Sequence, residues 1–171
     1  KYSFSYDSNT RTDNSTATTP WFSKKGSVKK IIVSSGITTV GDYAFYDCIE
    51  ATSASLPSTV TIVGSGAFEG SGITAIDLSS IIIISEDAFC DCDKLTSVTL
   101  CSDLRTIDDC AFGYCPELTS LVLPAKVQTI GDEAFTECKN IPSITIPASV
   151  TTIEKDAFQS WTNSQTIIIK G

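Results

Sequence analysis

The side chains that could carry chemistry in this 171-residue chain are its seven cysteines and twenty acidic residues, because histidine is absent. Without histidine the chain cannot form a histidine-based catalytic triad, a cysteine–histidine dyad or an imidazole ligand for a metal. The odd number of cysteines also prevents complete disulfide pairing within the chain. The spacing of the cysteines and acids therefore decides what each set can do.

Four cysteines occupy one position of a repeat that is described below: Cys48, Cys92, Cys115 and Cys138. Side chains at one repeat position should form an interior column at roughly one strand spacing. Such a line does not offer the tetrahedral ligand arrangement of a zinc site, and buried free cysteine behaves as a small apolar residue. We therefore expect a structural cysteine ladder here rather than a metal site.

The remaining cysteines have individual positions. Cys90 and Cys110 stand just after and just before Ala-Phe pairs in neighbouring repeats, so they could face each other. A disulfide between them is one alternative, but it requires Cα atoms within about 7 Å and suitable Cβ directions, which leaves the free thiols as the other. Cys101 occupies a position that proline holds in other repeats, and we expect it to be exposed.

Acidic residues cluster ahead of the Ala-Phe pairs, and stacking of the repeats would align them. The cluster consists of Asp42, Glu86, Asp87, Asp108, Asp109, Asp132, Glu133, Glu154 and Asp156. A calcium column would need six to eight oxygen ligands from a dedicated loop, and glycoside hydrolysis would need one paired set of carboxylates. Repetition favours capping of turns and solubility instead. We predict no catalytic residue, no metal and no cofactor.

The repeat that positions these side chains is marked by the dipeptide Ala-Phe. It recurs at 44–45, 67–68, 88–89, 111–112, 134–135 and 157–158, which gives steps of 23, 21, 23, 23 and 23. In each unit an alternating stretch such as Leu121 and Leu123, ended by Pro124, predicts a short strand with one buried face. A second apolar pair such as Val127 and Ile130 begins the return side. One coil cannot bury its apolar side alone, so the coils must stack.

A single helical turn is predicted around each Ala-Phe pair. Residues suited to the N-cap stand two positions before alanine: Asp42, Ser65, Asp109 and Asp132. Their side-chain oxygens would accept hydrogen bonds from the first free N–H groups of the turn. Alanine and phenylalanine would then point inward, with the ring filling the interior of the coil.

This pattern resembles the BspA-like leucine-rich repeats, also called the TpLRR type, with a motif close to LxxLxLPxxVxxIGxxAFxxC. The match covers about residues 28–170, with Ser71 and Trp161 in the cysteine position and shortening near Gly72 and Ile81–Ile84. The resemblance implies a right-handed, curved, mainly β leucine-rich-repeat solenoid. About seven short parallel strands would form its concave face, with single helical or 3-10 turns on the return side. Members are surface or secreted proteins of bacteria and some protozoa, often adhesins or host-interaction proteins.

Residues 1–27 are expected to cap the first coil, because a solenoid must cover its terminal repeats. Aromatic residues alternate with polar ones over 2–6, which predicts a strand with one aromatic face, and residues 8–19 form a polar loop. Trp21 then returns to the core as part of the cap. Asn14 begins a glycosylation sequon that a secretory pathway could use.

The solenoid itself is expected to run over 28–171. Nothing covers the strand from Thr166 to Lys170, so we expect either a further domain or a truncated stack.

The outward residues of the predicted strands form two columns, found by alternation with the buried ones. The first column is Lys30, Ser53, Ala75, Ser97, Ser120, Ser143 and Thr166; the second is Ile32, Ser55, Asp77, Thr99, Val122, Thr145 and Ile168. A hydroxyl-rich, nearly uncharged surface suits either a plain exposed sheet or a platform for a ligand. The candidate ligand-binding residues are Lys30, Ile32, Ser55, Asp77, Ser97, Thr99, Ser120, Val122, Ser143, Thr145 and Ile168.

Charge and composition restrict the partners. The net charge of −8 opposes binding to nucleic acid or to an anionic membrane surface, and no apolar run is long enough for a membrane span. The leading hypothesis is a non-catalytic recognition or adhesion module, extracellular or on the cell surface, that binds a protein or glycan on its concave sheet. A structural spacer and a β-helix polysaccharide-acting enzyme are the alternatives, and the oligomeric state stays open.

Overall fold

The structure, a computed structural model, describes residues 21–171. The aromatic strand, the polar loop and Asn14 that were predicted for the first segment lie outside the described residues. A 3-10 helix at Phe22–Ser27 precedes twelve short strands. The strands are β1 Ile31–Ile32, β2 Thr39–Val40, β3 Ala54–Ser55, β4 Ile62–Val63, β5 Ala75–Leu78, β6 Ile83–Ile84, β7 Ser97–Leu100, β8 Thr106–Ile107, β9 Thr129–Ile130, β10 Ser143–Ile146, β11 Thr152–Ile153 and β12 Thr166–Ile169.

The strands alternate between two sides of a parallel β solenoid, as the sequence predicts. On the return side the order is β11-β9-β8-β6-β4-β2, so each strand pairs with its equivalent one coil away. On the other side β1 pairs with β3, β5 with β7 and β10 with β12, all in parallel. We call the outward surface of this second set the long-strand face. It corresponds to the concave face of the sequence prediction.

The long-strand sheet is interrupted between β3 and β5 and again beside Pro142. In the preceding coil the N–H of Thr119 donates to the carbonyl of Thr96 at 3.2 Å, and the equivalent residue one coil later is Pro142. Proline has no N–H, so it cannot donate to Thr119 and the ladder stops. The coil between β7 and β10 keeps only an isolated bridge between Ser97 and Ser120. The seven strands predicted for this side are therefore six strands and one bridge.

The segments around the Ala-Phe pairs are turns, so the prediction of single helical or 3-10 turns on the return side is wrong for residues 28–171. Five of the six turns contain non-glycine residues with left-handed φ, such as Cys110 at 50° and Tyr114 at 55°, and the turn around Ala67-Phe68 has Gly66 and Gly70 at these positions. Such residues cannot continue a right-handed helix. The turns stack through backbone bonds to the next coil, as when the N–H of Cys110 donates to the carbonyl of Asp132 at 2.8 Å.

The residues predicted as N-caps also bond across coils. The Oδ1 atom of Asp109 accepts the N–H of Asp132 at 2.9 Å, and that of Asp42 accepts the N–H of Ser65 at 2.9 Å. Gly131, which directly precedes Asp132, leaves room for this contact. A Cβ on Gly131 would lie 2.5 Å from Asp109 Oδ1. The Ile-Gly pair of the repeat therefore serves the stacking of adjacent turns.

The core is a column of phenylalanines that runs through every coil. Successive ring centroids lie between 5.2 and 6.1 Å apart along Phe45, Phe68, Phe89, Phe112, Phe135 and Phe158. Trp21 stacks on the first ring at 5.6 Å, and Trp161 meets the last ring edge-on at 5.1 Å. Tryptophan rings thus cover both ends of the phenylalanine column.

Candidate functional site

The predicted outward columns do lie on the long-strand face. Of the eleven candidate ligand-binding residues, ten are exposed and Thr145 is half-buried. Strand register sets several of them side by side across coils: Ile32 beside Ser55, Ala75 beside Ser97, Asp77 beside Thr99, and Thr145 beside Ile168. Between them the inward residues Ile76, Ile144 and Ile146 are buried. Alternation along short strands was therefore enough to separate the two faces.

An open groove of about 530 Å³ crosses this face at the interruption beside Pro142. Its walls include four of the candidate residues, which are Ser120, Val122, Ser143 and Thr145, and they are joined by Pro142, Pro147 and Lys170. The side chain of Val122 is 83% exposed there, more than any other large apolar side chain in residues 21–171. The groove thus combines hydroxyl groups, an apolar wall and one ammonium group.

Sequence reasoning found the residues of this groove but not the groove itself. The signal that was available is Pro142, which stands where earlier coils have threonine. A missing N–H at a ladder position predicts a break between neighbouring strands. A search restricted to side-chain alternation cannot detect this, since the break depends on the backbone.

The long-strand face is nearly free of charge, and the ion pairs of the described residues lie elsewhere. Lys29 bonds Glu50 at 2.7 Å, and this hydrogen bond and positive charge lower the pKa of the glutamate. Lys126 similarly lowers the pKa of Asp103. In the two outward columns the only charged residues are Lys30 and Asp77. The face is suited to hydrogen bonding and apolar contact rather than to strong electrostatic attraction.

The cysteine ladder is an interior column, and it has a role that the sequence did not reveal. Cys48, Cys92, Cys115 and Cys138 are fully buried. The thiol of Cys115 donates to the carbonyl of Phe89 at 3.2 Å, and the thiol of Cys138 donates to that of Phe112 at 3.1 Å. These contacts give buried carbonyl groups a partner, which an apolar side chain of the same size could not do.

Trp161, which replaces cysteine in the last coil, takes over the same hydrogen bond. Its indole Nε1–H donates to the carbonyl of Phe135 at 2.9 Å. The two departures from the repeat therefore differ: Ser71 is buried and meets Cys92 Sγ at 3.5 Å, whereas Trp161 preserves the bond to phenylalanine. Burial raises the pKa of the thiols of Cys92 and Cys138 to about 12, so these ladder cysteines remain protonated near neutral pH.

Cys101 was expected to be exposed, and this prediction is wrong. Its side chain is 7% exposed and belongs to the hydrophobic core, and its Sγ accepts the N–H of Asp103 at 3.5 Å. It directly follows β7, and cysteine is small and apolar enough to pack inward at a position where proline is half-buried in other coils.

Cys90 and Cys110 do face each other across neighbouring coils, with their Sγ atoms 3.0 Å apart, and both are free thiols. They lie in a second open groove of about 390 Å³ on the turn side, which we call the acidic groove. It is lined by Glu69, Glu86, Asp87, Cys90, Asp91, Asp109, Cys110, Tyr114, Asp132 and Glu133. The hydrogen bond with Cys110, together with burial, raises the pKa of Cys90. Burial, with a contribution from Asp93, raises the pKa of Asp91.

Within residues 21–171 no helix combines the length and apolar character that crossing a bilayer requires.

Solved structures share the fold of this chain. A leucine-rich repeat protein from Bacteroides ovatus superposes with a TM-score of 0.60 at 23% identity, covering 75% of this chain and 40% of its own. A leucine rich cell surface protein from Faecalibacterium prausnitzii gives 0.53 at 20% identity, covering 84% and 60%. The T. pallidum leucine rich repeat protein gives 0.53 at 28% identity, covering 77% and 54%. This chain spans less than two thirds of each of these proteins.

Of the two sequence comparisons, the one with family profiles agrees with the structural result. No curated protein matches the chain. The profile of the BspA type leucine rich repeat region matches residues 18–116 and 105–171 in six copies. The matched ranges contain all twelve strands, the phenylalanine column and the cysteine ladder. This chain belongs to the BspA type leucine-rich-repeat family.

Proposed function

We propose that this chain is a non-catalytic recognition module of an extracellular or cell-surface protein, and that it binds a protein or glycan ligand on its long-strand face. The observation that carries this proposal is the open groove at the sheet break, with Val122 exposed on one wall and hydroxyl groups along both. Such a surface can stack against apolar parts of a ligand while its hydroxyls form hydrogen bonds.

The position of the groove also supports ligand binding. Because Pro142 does not donate to Thr119, the backbone between the two coils is not closed by a ladder. Polar groups at such a break can bond a ligand's own donors and acceptors, as exposed sheet edges do with extended peptides. Lys170 adds one cation that can reach a carboxylate or hydroxyl of the ligand.

The likeness to a cell surface protein of F. prausnitzii supports the proposed location, although that likeness is one of fold. The comparisons indicate no enzymatic family for this chain. The acids of the turn side recur at equivalent positions of successive coils, such as Glu86, Asp109 and Asp132. A catalytic pair requires two carboxylates with different roles, and therefore with different surroundings. Acids repeated at equivalent positions have similar surroundings, so they favour the binding module over the polysaccharide-acting enzyme.

Two substitutions on the long-strand face test the proposal. Val122→Asp replaces the exposed apolar side chain of the groove wall with a carboxylate, and Thr99→Arg places a bulky cation two coils from Pro142 on the same face. We expect at least about tenfold weaker binding to a ligand selected from panels of matrix proteins and glycans, equivalent to about 1.4 kcal/mol. Affinities would be measured by surface plasmon resonance on the purified chain.

Thr106→Arg is the matched control, because Thr106 is exposed on β8 of the return side in the coil that also contains Thr99. We expect this control to bind as the parent does. Equal affinities for Val122→Asp, Thr99→Arg and the parent would remove the long-strand face as the binding surface. A chain that binds no member of the panels would instead support the spacer role.

Pro142→Thr tests the groove separately from its side chains. Threonine occupies the equivalent position in earlier coils, so this variant restores an N–H opposite Thr119. We expect the new ladder bond to raise the free energy of unfolding by about 1 kcal/mol and to weaken ligand binding, since it draws the groove closed. Urea denaturation and the same binding assay measure the two effects. A more stable variant with unchanged affinity would contradict the role of the groove.

A further inference from the structure

The acidic groove contains three potential metal ligands that the backbone brings together. Asp87 and Cys110 occupy the same left-handed position in neighbouring turns, with φ of 57° and 50°. Cys90 lies on the opposite side of the first turn, where its N–H donates to the carbonyl of Asp87 at 3.0 Å. Stacking of the coils therefore places the thiol of Cys110 beside the side chains of Asp87 and Cys90 in the preceding coil.

A glycine gives the Cys110 side chain the space to turn toward Cys90. A Cβ added to Gly113 would lie 2.5 Å from the Sγ of Cys110. Most other coils have a larger side chain at the position of Gly113, including Glu69, Cys90 and Thr136. With glycine there, the two sulfur atoms approach to 3.0 Å. The ligand atoms of Asp87, Cys90 and Cys110 all lie within 4.8 Å of one another.

The surroundings of these three residues favour a cation. Seven carboxylate side chains line the groove, which concentrates negative charge at its centre. A divalent cation held by Asp87, Cys90 and Cys110 would offset part of this charge.

We propose that the Sγ atoms of Cys90 and Cys110 and a carboxylate oxygen of Asp87 bind one thiophilic divalent cation of the Zn²⁺ type. Two thiolates and one carboxylate form a mixed S/O ligand set, with the fourth tetrahedral position left to water or to a neighbouring carboxylate. Thiolate ligands select against Mg²⁺ and Ca²⁺, which prefer oxygen alone. Each thiol releases its proton to solvent as its sulfur bonds the ion.

The geometry requires only a small adjustment. Two sulfurs bonded to one zinc ion at about 2.3 Å stand roughly 3.8 Å apart at a tetrahedral angle, so the pair must separate by less than about 1 Å. Cys110 is half-buried rather than enclosed, which leaves its side chain room to move. A disulfide would use the sulfurs alone and would give no role to the Asp87 carboxylate, which lies within 4.8 Å of both. For this reason the arrangement favours a metal ion over a disulfide.

This proposal departs from the sequence expectation that the chain has no metal site. It does not depend on the proposed function, because the acidic groove lies on the turn side and the long-strand face can bind or fail to bind without it.

The test is titration of the reduced, chelator-treated chain with Co²⁺ and then Zn²⁺. We expect one Co²⁺ per chain, with thiolate-to-cobalt charge-transfer absorption of two thiolates, and displacement by Zn²⁺ but not by excess Mg²⁺ or Ca²⁺. Cys90→Ser and Cys110→Ser should each weaken Co²⁺ uptake at least about 100-fold. Loss of a residue that only hydrogen-bonds a metal ligand weakens metal affinity about 10- to 100-fold, and loss of a ligand itself should cost more. Asp87→Asn should weaken uptake while the two-thiolate absorption remains.

Cys101→Ser is the matched control, because Cys101 is a buried cysteine that does not line the acidic groove. It should bind Co²⁺ as the parent does, and circular dichroism verifies that every variant is folded. Three outcomes overturn the proposal: no saturable uptake by the reduced parent chain, uptake that both groove serine variants retain, or charge-transfer absorption that is lost equally in Cys101→Ser. Isolation of a stable Cys90–Cys110 disulfide whose reduced form takes up no ion would assign the pair to redox pairing instead.

Discussion

Replacing Phe112 with alanine is expected to lower the free energy of unfolding by about 3–5 kcal/mol, the range measured for large buried side chains. Phe112 is fully buried in the middle of the phenylalanine column. Its ring lies 5.4 Å from that of Phe89 and 6.1 Å from that of Phe135, and both pairs are stacked. Alanine would leave a cavity between rings held apart by the backbone bonds between coils, so neighbouring side chains cannot fill the space.

The position of Phe112 adds to this effect. In a stack of coils each unit is stabilised by its two neighbours, so damage to a central coil weakens two interfaces. Urea denaturation followed by circular dichroism would measure the loss. The matched variant is Phe158→Ala, in the last coil, where the ring is only partly buried. We expect it to cost less than half as much. Equal losses at the two positions would contradict the stacked column as the main source of stability.

The phenylalanine column shows which features of this fold the sequence could predict. Spacing along the chain determines which residues stack, because every coil repeats the same geometry. The repeat therefore predicted the interior position of Phe112 and the outward position of Val122 without any knowledge of distances. The same reasoning placed the cysteine ladder inside. These predictions depend only on periodicity and on the alternation of side chains in strands.

Backbone details were harder to predict. The helical turns were inferred from Asp109 and its equivalents, which suit an N-cap, yet Cys110 and Tyr114 adopt left-handed φ in the same turn. Cysteine and tyrosine rarely adopt that conformation, so their presence argued against it locally. The hydrogen bonds that each turn gives to the next coil compensate for the strain. Such compensation comes from stacking, and a single repeat does not contain it.

The candidate sites likewise contain some features that the sequence predicts and others that it does not. The outward columns could be predicted, but the groove between them depends on the N–H that Pro142 lacks. The facing of Cys90 and Cys110 was expected from their positions. The nearby Asp87 ligand and the space provided by Gly113 could not be expected, because they depend on side-chain directions in two turns at once. Spacing along the chain predicts which residues are neighbours, whereas a binding site also depends on the directions in which their side chains point.

Replacing Gly72 with alanine is expected to lower the free energy of unfolding by at least about 3 kcal/mol, at the upper end of overpacking effects. A Cβ at this position would lie 2.1 Å from the carbonyl oxygen of Ile49 and 2.8 Å from its carbon. Both atoms belong to the backbone of the neighbouring coil, so no side-chain rotation relieves the clash. The φ of Gly72 is not positive, so alanine itself could adopt the local backbone conformation.

The shortened repeat explains why this contact is so close. Ile73 follows Phe68 after five positions, whereas Leu118 follows Phe112 after six, so the chain crosses to the long-strand side by a more direct path. The N–H of Gly72 bonds the Cys48 carbonyl of the adjacent coil at 3.1 Å along this path. An added methyl group would push the two coils apart and break that bond.

Gly26→Ala is the matched control for this substitution. Gly26 lies in the 3-10 helix Phe22–Ser27, and nothing stands within 4 Å of the position that its Cβ would take. We expect a change of no more than about 1 kcal/mol in either direction, since only the conformational freedom of the unfolded chain is altered. Urea midpoints compare the two variants directly. If Gly72→Ala were as stable as Gly26→Ala, the coils could separate freely at the shortened repeat, and rigid stacking would not hold there.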